Sequence, residues 1–187
     1  MKRRMAVCAC LHAAMGGAVW MQPQAGVAQV AAVAEHQVKA AYLYKFLDFV
    51  EWPAAAFDGP KSPFVIGVAG SDVLAEELDV LISRRRAESR PVVSRRLGPG
   101  EAASGLHVLF VGRGAGARAA NWLASTARQP VLTVTEADDA QPAGSTINFV
   151  MIDKRVRFDV DLRGAEAREL KISSRLLGVA RRVEGAP

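Results

Sequence analysis

Apolar residues recur at helical spacing through Val38, Tyr42, Leu43, Phe46, Leu47, Phe49 and Val50, while Tyr44, Asp48 and Glu51 fall on the other side. The spacing predicts a helix running up to Pro53, whose ring disfavours helical geometry at Trp52 and turns the chain away there. The apolar arc covers about half the circumference, wider than the ~100° stripe of an ordinary surface helix. Such a helix needs cover on more than one flank, from its own domain or from a partner. Lys39 lies inside the arc near its start, a position that predicts its stem on apolar surface and its ammonium in water.

Beyond Pro53 the pattern alternates between strand and helix. Phe64 to Ala69 is a continuous apolar run, as expected of a strand buried on both faces. Ser71 or Asp72 then caps a helix bearing Val73, Leu74, Leu78, Leu81 and Ile82, with Arg84, Arg85 and Arg86 at its negative end. Pro91 to Leu97 predicts a more polar strand nearer an edge, His107 to Val111 a buried strand, Ala115 to Ala127 a helix, and Val131 to Thr135 a fourth strand. Thr146 to Ile152 and Val156 to Leu162 flank a short polar turn, which predicts an antiparallel hairpin. A short helix over Glu166 to Leu170 and a final helix capped by Ser173 or Ser174, carrying Leu176, Leu177, Val179, Ala180 and Val183, complete the pattern. The fold class is α/β: one three-layer domain with a mixed sheet, parallel in its N-terminal part, antiparallel at its C-terminal hairpin, and flanked by helices.

The first residues change how composition is read. Lys2, Arg3 and Arg4 precede an apolar run from Met5 to Met21, and Gly26-Val27-Ala28 offers small residues for cleavage, so residues 1–28 are expected to be a secretory signal. A flexible lead-in, 29–36, would follow, and then the domain, 37–187. Removing the signal takes three basic and no acidic residues, so the net charge of +5 falls to +2, 21 Lys and Arg against 19 Asp and Glu. The basic balance is then poor support for nucleic acid as a partner. Cys8 and Cys10 leave with the signal, so the mature chain holds no thiol or disulfide.

The opening VKAAYLYKFLDFVEWP, the middle PVLTVTEADDAQPAGSTINF and the closing INFVMIDKRVRFDVDLRGAEARELKISSRLLGVARRV together resemble the YfiR family of periplasmic regulators, over about Val38 to Val183. The helix ending at Trp52-Pro53 and the stretch Lys171 to Leu177 are the most specific parts. The resemblance implies a non-enzymatic, periplasmic repressor that binds the periplasmic region of an inner-membrane diguanylate cyclase and holds it inactive. That would lower cyclic di-GMP and biofilm formation. An outer-membrane lipoprotein that sequesters the repressor is a second implied partner, and self-association as a homodimer stays open. The family often begins one strand with Cys where His107 stands here, so redox control does not carry over. Its Phe-x-x-Asn is Phe158-Asp159-Val160-Asp161 here.

Several motifs carry chemistry on paper. Gly112-Arg113-Gly114-Ala115-Gly116-Ala117 follows a strand and fits G-x-G-x-x-A, with Glu136 ending the next strand, the outline of a dinucleotide fingerprint. It sits after the third strand instead of the first βα unit, so a flexible turn is the simpler account and no cofactor is expected. His107 has no companion set of ligands, so no metal site is expected. Asp138, Asp139, Asp159 and Asp161 could approach as carboxylates. Asp159 and Asp161 share one strand face, more simply a solvent-facing stripe. The run Arg84, Arg85, Arg86, Arg90, Arg95 and Arg96 suits a solvated basic face.

Three functions remain distinct: a repressor acting by contact, a periplasmic small-ligand sensor serving another receptor such as a histidine kinase, and an exported α/β enzyme. For the first, the partner-binding candidates are Phe49, Trp52 and Pro53 at the end of the arc, and Arg175, Leu176 and Leu177 near the C-terminus. Aromatic residues and Arg are the usual anchors of interfaces.

Overall fold

The computed structural model describes residues 25–85, 90–138 and 140–185. The expected signal segment lies outside them up to residue 24, and so do Cys8, Cys10, Arg86 and Asp139.

Helix α1, Ala25–Phe46, is already under way where a flexible lead-in was expected, and it ends earlier than Trp52. Residues 47–49 form a turn, and Val50–Glu51 is strand β1. Residues of the predicted arc therefore divide between two elements. Leu43 and Phe46 point into the core from α1, while Phe49 and Val50 belong to the turn and the strand.

The central sheet is built from β2 (Phe64–Ala69), β3 (Val92–Leu97), β4 (Val108–Val111), β5 (Leu132–Thr135), β6 (Ile147–Ile152), β7 (Arg155–Asp161) and β9 (Arg182–Glu184). Its strand order is β3-β2-β4-β5-β6-β7-β9. The pairs from β3 to β6 are parallel, β6–β7 is antiparallel, and β9 runs parallel to β7. The hairpin closes through Asp153 and Lys154, both at positive φ (48° and 61°), as a two-residue turn matched to strand twist requires. The mixed three-layer α/β class read from the sequence is the observed one, and the polar strand β3 lies at an edge as expected.

Helix α2 (Asp72–Arg84) joins α1 on one face of the sheet. Leu43, Phe46, Leu74 and Leu78 pack there with Ile66, Phe110, Phe149 and Phe158. Tyr42 and Phe46 meet Phe158 at ring distances of 5.5 Å, edge to face. The second face is covered by a 3-10 segment, Arg113–Arg118, and helix α3 (Ala119–Ser125), where Trp122 and Leu123 pack with Leu106, Leu109 and Val111. A single helix from Ala115 to Ala127 does not form, because Gly116 takes φ 53° and ψ −133° inside it.

The C-terminal third departs furthest from the sequence pattern. Helix α4 is Leu162–Glu166, earlier than the predicted Glu166 to Leu170. Strand β8 (Lys171–Ile172) follows, and the expected final helix is a single turn, α5 (Ser174–Leu177). Val183 lies in β9 instead, because pairing with Val160 of β7 is available there.

Candidate functional site

The two stretches most specific to the family pattern are separated by more than a hundred residues, and a small ribbon joins them. Strand β1 pairs antiparallel with β8, Val50 opposite Ile172 and Glu51 opposite Lys171. The Ser173 N–H donates to Phe49 O at 2.8 Å, and the Ser173 hydroxyl accepts from the Arg175 N–H at 3.3 Å, capping α5. The six candidate contact residues therefore gather around one ribbon. Arg175 is exposed; Phe49, Trp52, Pro53 and Leu177 are half-buried; Leu176 is 4% exposed and belongs mainly to the core.

Two grooves flank the ribbon. An apolar one of about 340 Å³ runs between α1 and α5, with Val38, Tyr42, Phe49, Leu176 and Val179 along it. Val38 and Val179 are 43% and 62% exposed at its rim. The other groove, about 460 Å³, has Trp52, Pro53 and Leu170 as walls and Glu51, Glu166, Glu169 and Lys171 around it.

Trp52 is held from beneath. Its indole N–H donates to His107 O at 3.2 Å, and its ring meets Phe64 edge to face at 5.2 Å. His107 is a satisfied ring just before β4. Its Nδ1 accepts the Val65 N–H at 3.1 Å, so the ring proton sits on Nε2, 3.0 Å from Ala56 O. Phe57 stacks on that ring at 4.5 Å, and the Arg90 guanidinium lies 4.0 Å over Phe57. Burial pushes the His107 pKa below its ordinary value; the bond to Ala56 O opposes this and the charge of Arg90 adds to it.

The glycine-rich stretch has a different role. Gly112 N–H donates to Ala69 O at 2.8 Å and Gly114 N–H to Gly70 O at 3.1 Å, so the loop after β4 lies directly on the loop after β2. A Cβ on Gly112 or Gly114 would stand 2.7 or 2.6 Å from Gly70 O. These glycines permit backbone contact, and the turn is tightly packed instead of flexible. The Arg113 N–H, which a pyrophosphate would seek, is bonded to Glu136 Oε1 at 2.9 Å. The crevice where open α/β sheets receive ligands keeps a shallow hollow of about 230 Å³ beside Gly112, Gly116, Thr135 and Pro142, but its backbone donor and its carboxylate are already bonded to each other.

Glu136 is 7% exposed and also pairs with Lys39, which pairs in turn with Glu35. Lys39 is 1% exposed, so its ammonium does not reach water as predicted. Two carboxylates make burial tolerable, one a helical turn away and one across the fold. Arg113 extends the chain to Asp138 at 2.6 Å, a bond that raises the Arg113 pKa.

Asp159 also departs from expectation. It is 6% exposed and bonded by Arg181 through Nε at 2.7 Å and through Nη2, so it is no solvent-facing stripe. That pairing raises the Arg181 pKa. The arginine run is mostly committed to contacts: Arg85 over Tyr44, Arg90 over Phe57, Arg95 to the carbonyls of Ala102 and Ser104, and Arg96 to Asp79. Arg168, not singled out in the sequence, is 6% exposed and ties α4 to the β5–β6 loop by donating to Gly164 O and Gly144 O, both at 2.9 Å. Burial lowers its pKa. Among the described residues, no three His, Cys, Asp or Glu side chains gather as a metal site would need. No described helix is long and apolar enough to cross a membrane.

No curated protein matches the chain. A family model described as YfiR/HmsC-like matches residues 36–181, which takes in the ribbon, both grooves and the crevice. The protein belongs to the YfiR/HmsC-like family.

Proposed function

We propose that this protein is a periplasmic repressor that binds the periplasmic region of an inner-membrane diguanylate cyclase through the β1–β8 ribbon and its flanking grooves. Family membership supports a periplasmic regulator, and the observation that carries the reading to a place is the ribbon. It gathers Phe49, Trp52, Pro53, Arg175 and Leu177 beside exposed apolar side chains. Such a protein needs no catalytic group: it binds one state of the cyclase and shifts the equilibrium by its differential affinity. Export under an N-terminal signal and release by an outer-membrane lipoprotein belong to the same reading. The experiment is to express the protein, with its signal, in cells whose own copy is deleted and to measure cyclic di-GMP. Expression should lower cyclic di-GMP and biofilm mass only when the cyclase is present. An equal fall without the cyclase would overturn the reading.

A further inference from the structure

We propose that the open outer face of the β6–β7 hairpin is a second docking surface, one that receives an acidic protein segment. The fold has three layers over only part of its width. Helix α3 and its 3-10 lead cover β2, β4 and β5, while the same face of β6, β7 and β9 carries no helix among the described residues. Strand alternation puts Asn148, Val150 and Ile152 of β6 on that face beside Arg155, Arg157 and Asp159 of β7.

The inner part of the face is internally satisfied. Asn148 bonds both the N–H and the carbonyl of Ala137, and Asp159 holds Arg181. The outer part is not. Arg155 and Arg157 are exposed, and among the described residues neither side chain has an ion pair or a hydrogen bond. They lie opposite Ile152, 40% exposed, and Val150. A cleft of about 430 Å³ continues from Val150 and Ile152 toward Gln141. Its carboxylates are each already paired, Asp138 with Arg113, Asp159 with Arg181 and Glu184 with Arg182, so the unpaired charge at its mouth is that of Arg155 and Arg157.

Two unpaired cations beside an apolar pair complement carboxylates spaced around an aliphatic side chain. Binding to anionic lipid by charge takes clusters of about 4–8 Lys and Arg, more than this strip offers, so a protein segment is the favoured occupant. The surface is separate from the ribbon, so its test does not depend on the proposed repression.

The probe is a short fluorescein-labelled peptide in which glutamates flank a central leucine pair, titrated by anisotropy into the full chain. Amide shifts are mapped by nuclear magnetic resonance. Saturable binding is expected, with shifts confined to β6, β7 and the 138–141 segment. Affinity should fall at least about tenfold in R155E/R157E and weaken as salt shortens the screening length. A matched peptide with lysines should not bind. Melting curves should show both proteins equally folded. Absence of saturation, shifts centred on the ribbon, or equal affinity in R155E/R157E would overturn the proposal. So would binding of phosphatidylglycerol vesicles without the peptide, or self-association of the protein abolished by R155E/R157E, because each names a different occupant.

Discussion

The crevice after β2 and β4 and the ribbon of β1 and β8 make an instructive pair. The crevice contains the residues with the most chemical promise in the sequence: a glycine-rich turn, a carboxylate at a strand end, a lysine and an arginine. Each polar group there is met by another group of the same chain, from Lys39 with Glu136 to the Arg113 N–H with Glu136. The ribbon contains no chemistry beyond one backbone ladder, yet half-buried aromatics, an exposed arginine and two grooves surround it. Chemically suggestive residues in this fold hold loops together. The proposed contact surface is made of packing residues that the fold leaves partly uncovered.

The largest effect should come from the crevice. Replacing Lys39 by Met leaves the buried Glu136 with only the half-exposed Arg113 guanidinium, 3.8 Å away, as a cation, and should lower stability by about 3 kcal/mol in urea unfolding. Adding Glu136→Gln removes the under-compensated charge while keeping an acceptor for the Arg113 N–H, and should restore most of that loss. Equal destabilisation in the single and double variants would contradict the charge account.

Gly70 comes next. It holds φ +71°, and a Cβ would stand 2.2 Å from Ala115 N. Gly70→Ala should cost roughly 2–4 kcal/mol, from left-handed strain together with overpacking. A melting temperature within a degree of the parent would show that the two loops are not in contact.

On the ribbon side, effects on folding should be smaller. Trp52→Ala removes a half-buried ring and should cost about 2 kcal/mol, below the ~3–5 of a fully buried aromatic. Trp52→Phe keeps the packing, loses the bond to His107 O, and should cost about 1 kcal/mol. Thermal unfolding of the two variants, compared side by side, checks the split.

A pH effect follows from the ring beneath Trp52. The folded state holds His107 neutral, with a pKa below the ordinary value of 6.5. Below pH 6.5 the unfolded chain takes up the proton first, so stability should fall as pH drops from 6.5 toward the folded pKa and then level off. The proton would enter at Nδ1, against the Val65 N–H. His107→Gln should flatten that part of the curve, and an unchanged slope would assign it to another group.

Much of the fold was legible because its signals are local. The apolar runs 64–69, 107–111 and 131–135 and the hairpin through Asp153-Lys154 needed no distant partner to be read. The misread places depend on pairing far along the chain. Helix α1 stops at Phe46 because Val50 is taken by Ile172, and the last helix stops after one turn because Val183 is taken by Val160. Of the candidate site, both stretches were visible, but not the ribbon that unites them. Lys39 gave a signal that could have been followed: a lysine inside an apolar arc with Glu35 one turn before it. Its second partner, Glu136, lies 97 residues away and could be supplied only by the fold.

Arg175 isolates the contact role most cleanly, because its side chain is exposed on the ribbon's flank and replacing it should change stability by no more than about 0.5 kcal/mol. The decisive measurement is the affinity of the cyclase's periplasmic region for the protein and for Arg175→Glu, with the melting temperature of each. The account predicts a loss of at least about tenfold in affinity, 1.4 kcal/mol, with near-normal melting. Undiminished affinity in a folded Arg175→Glu protein would contradict the placement of the partner at the ribbon.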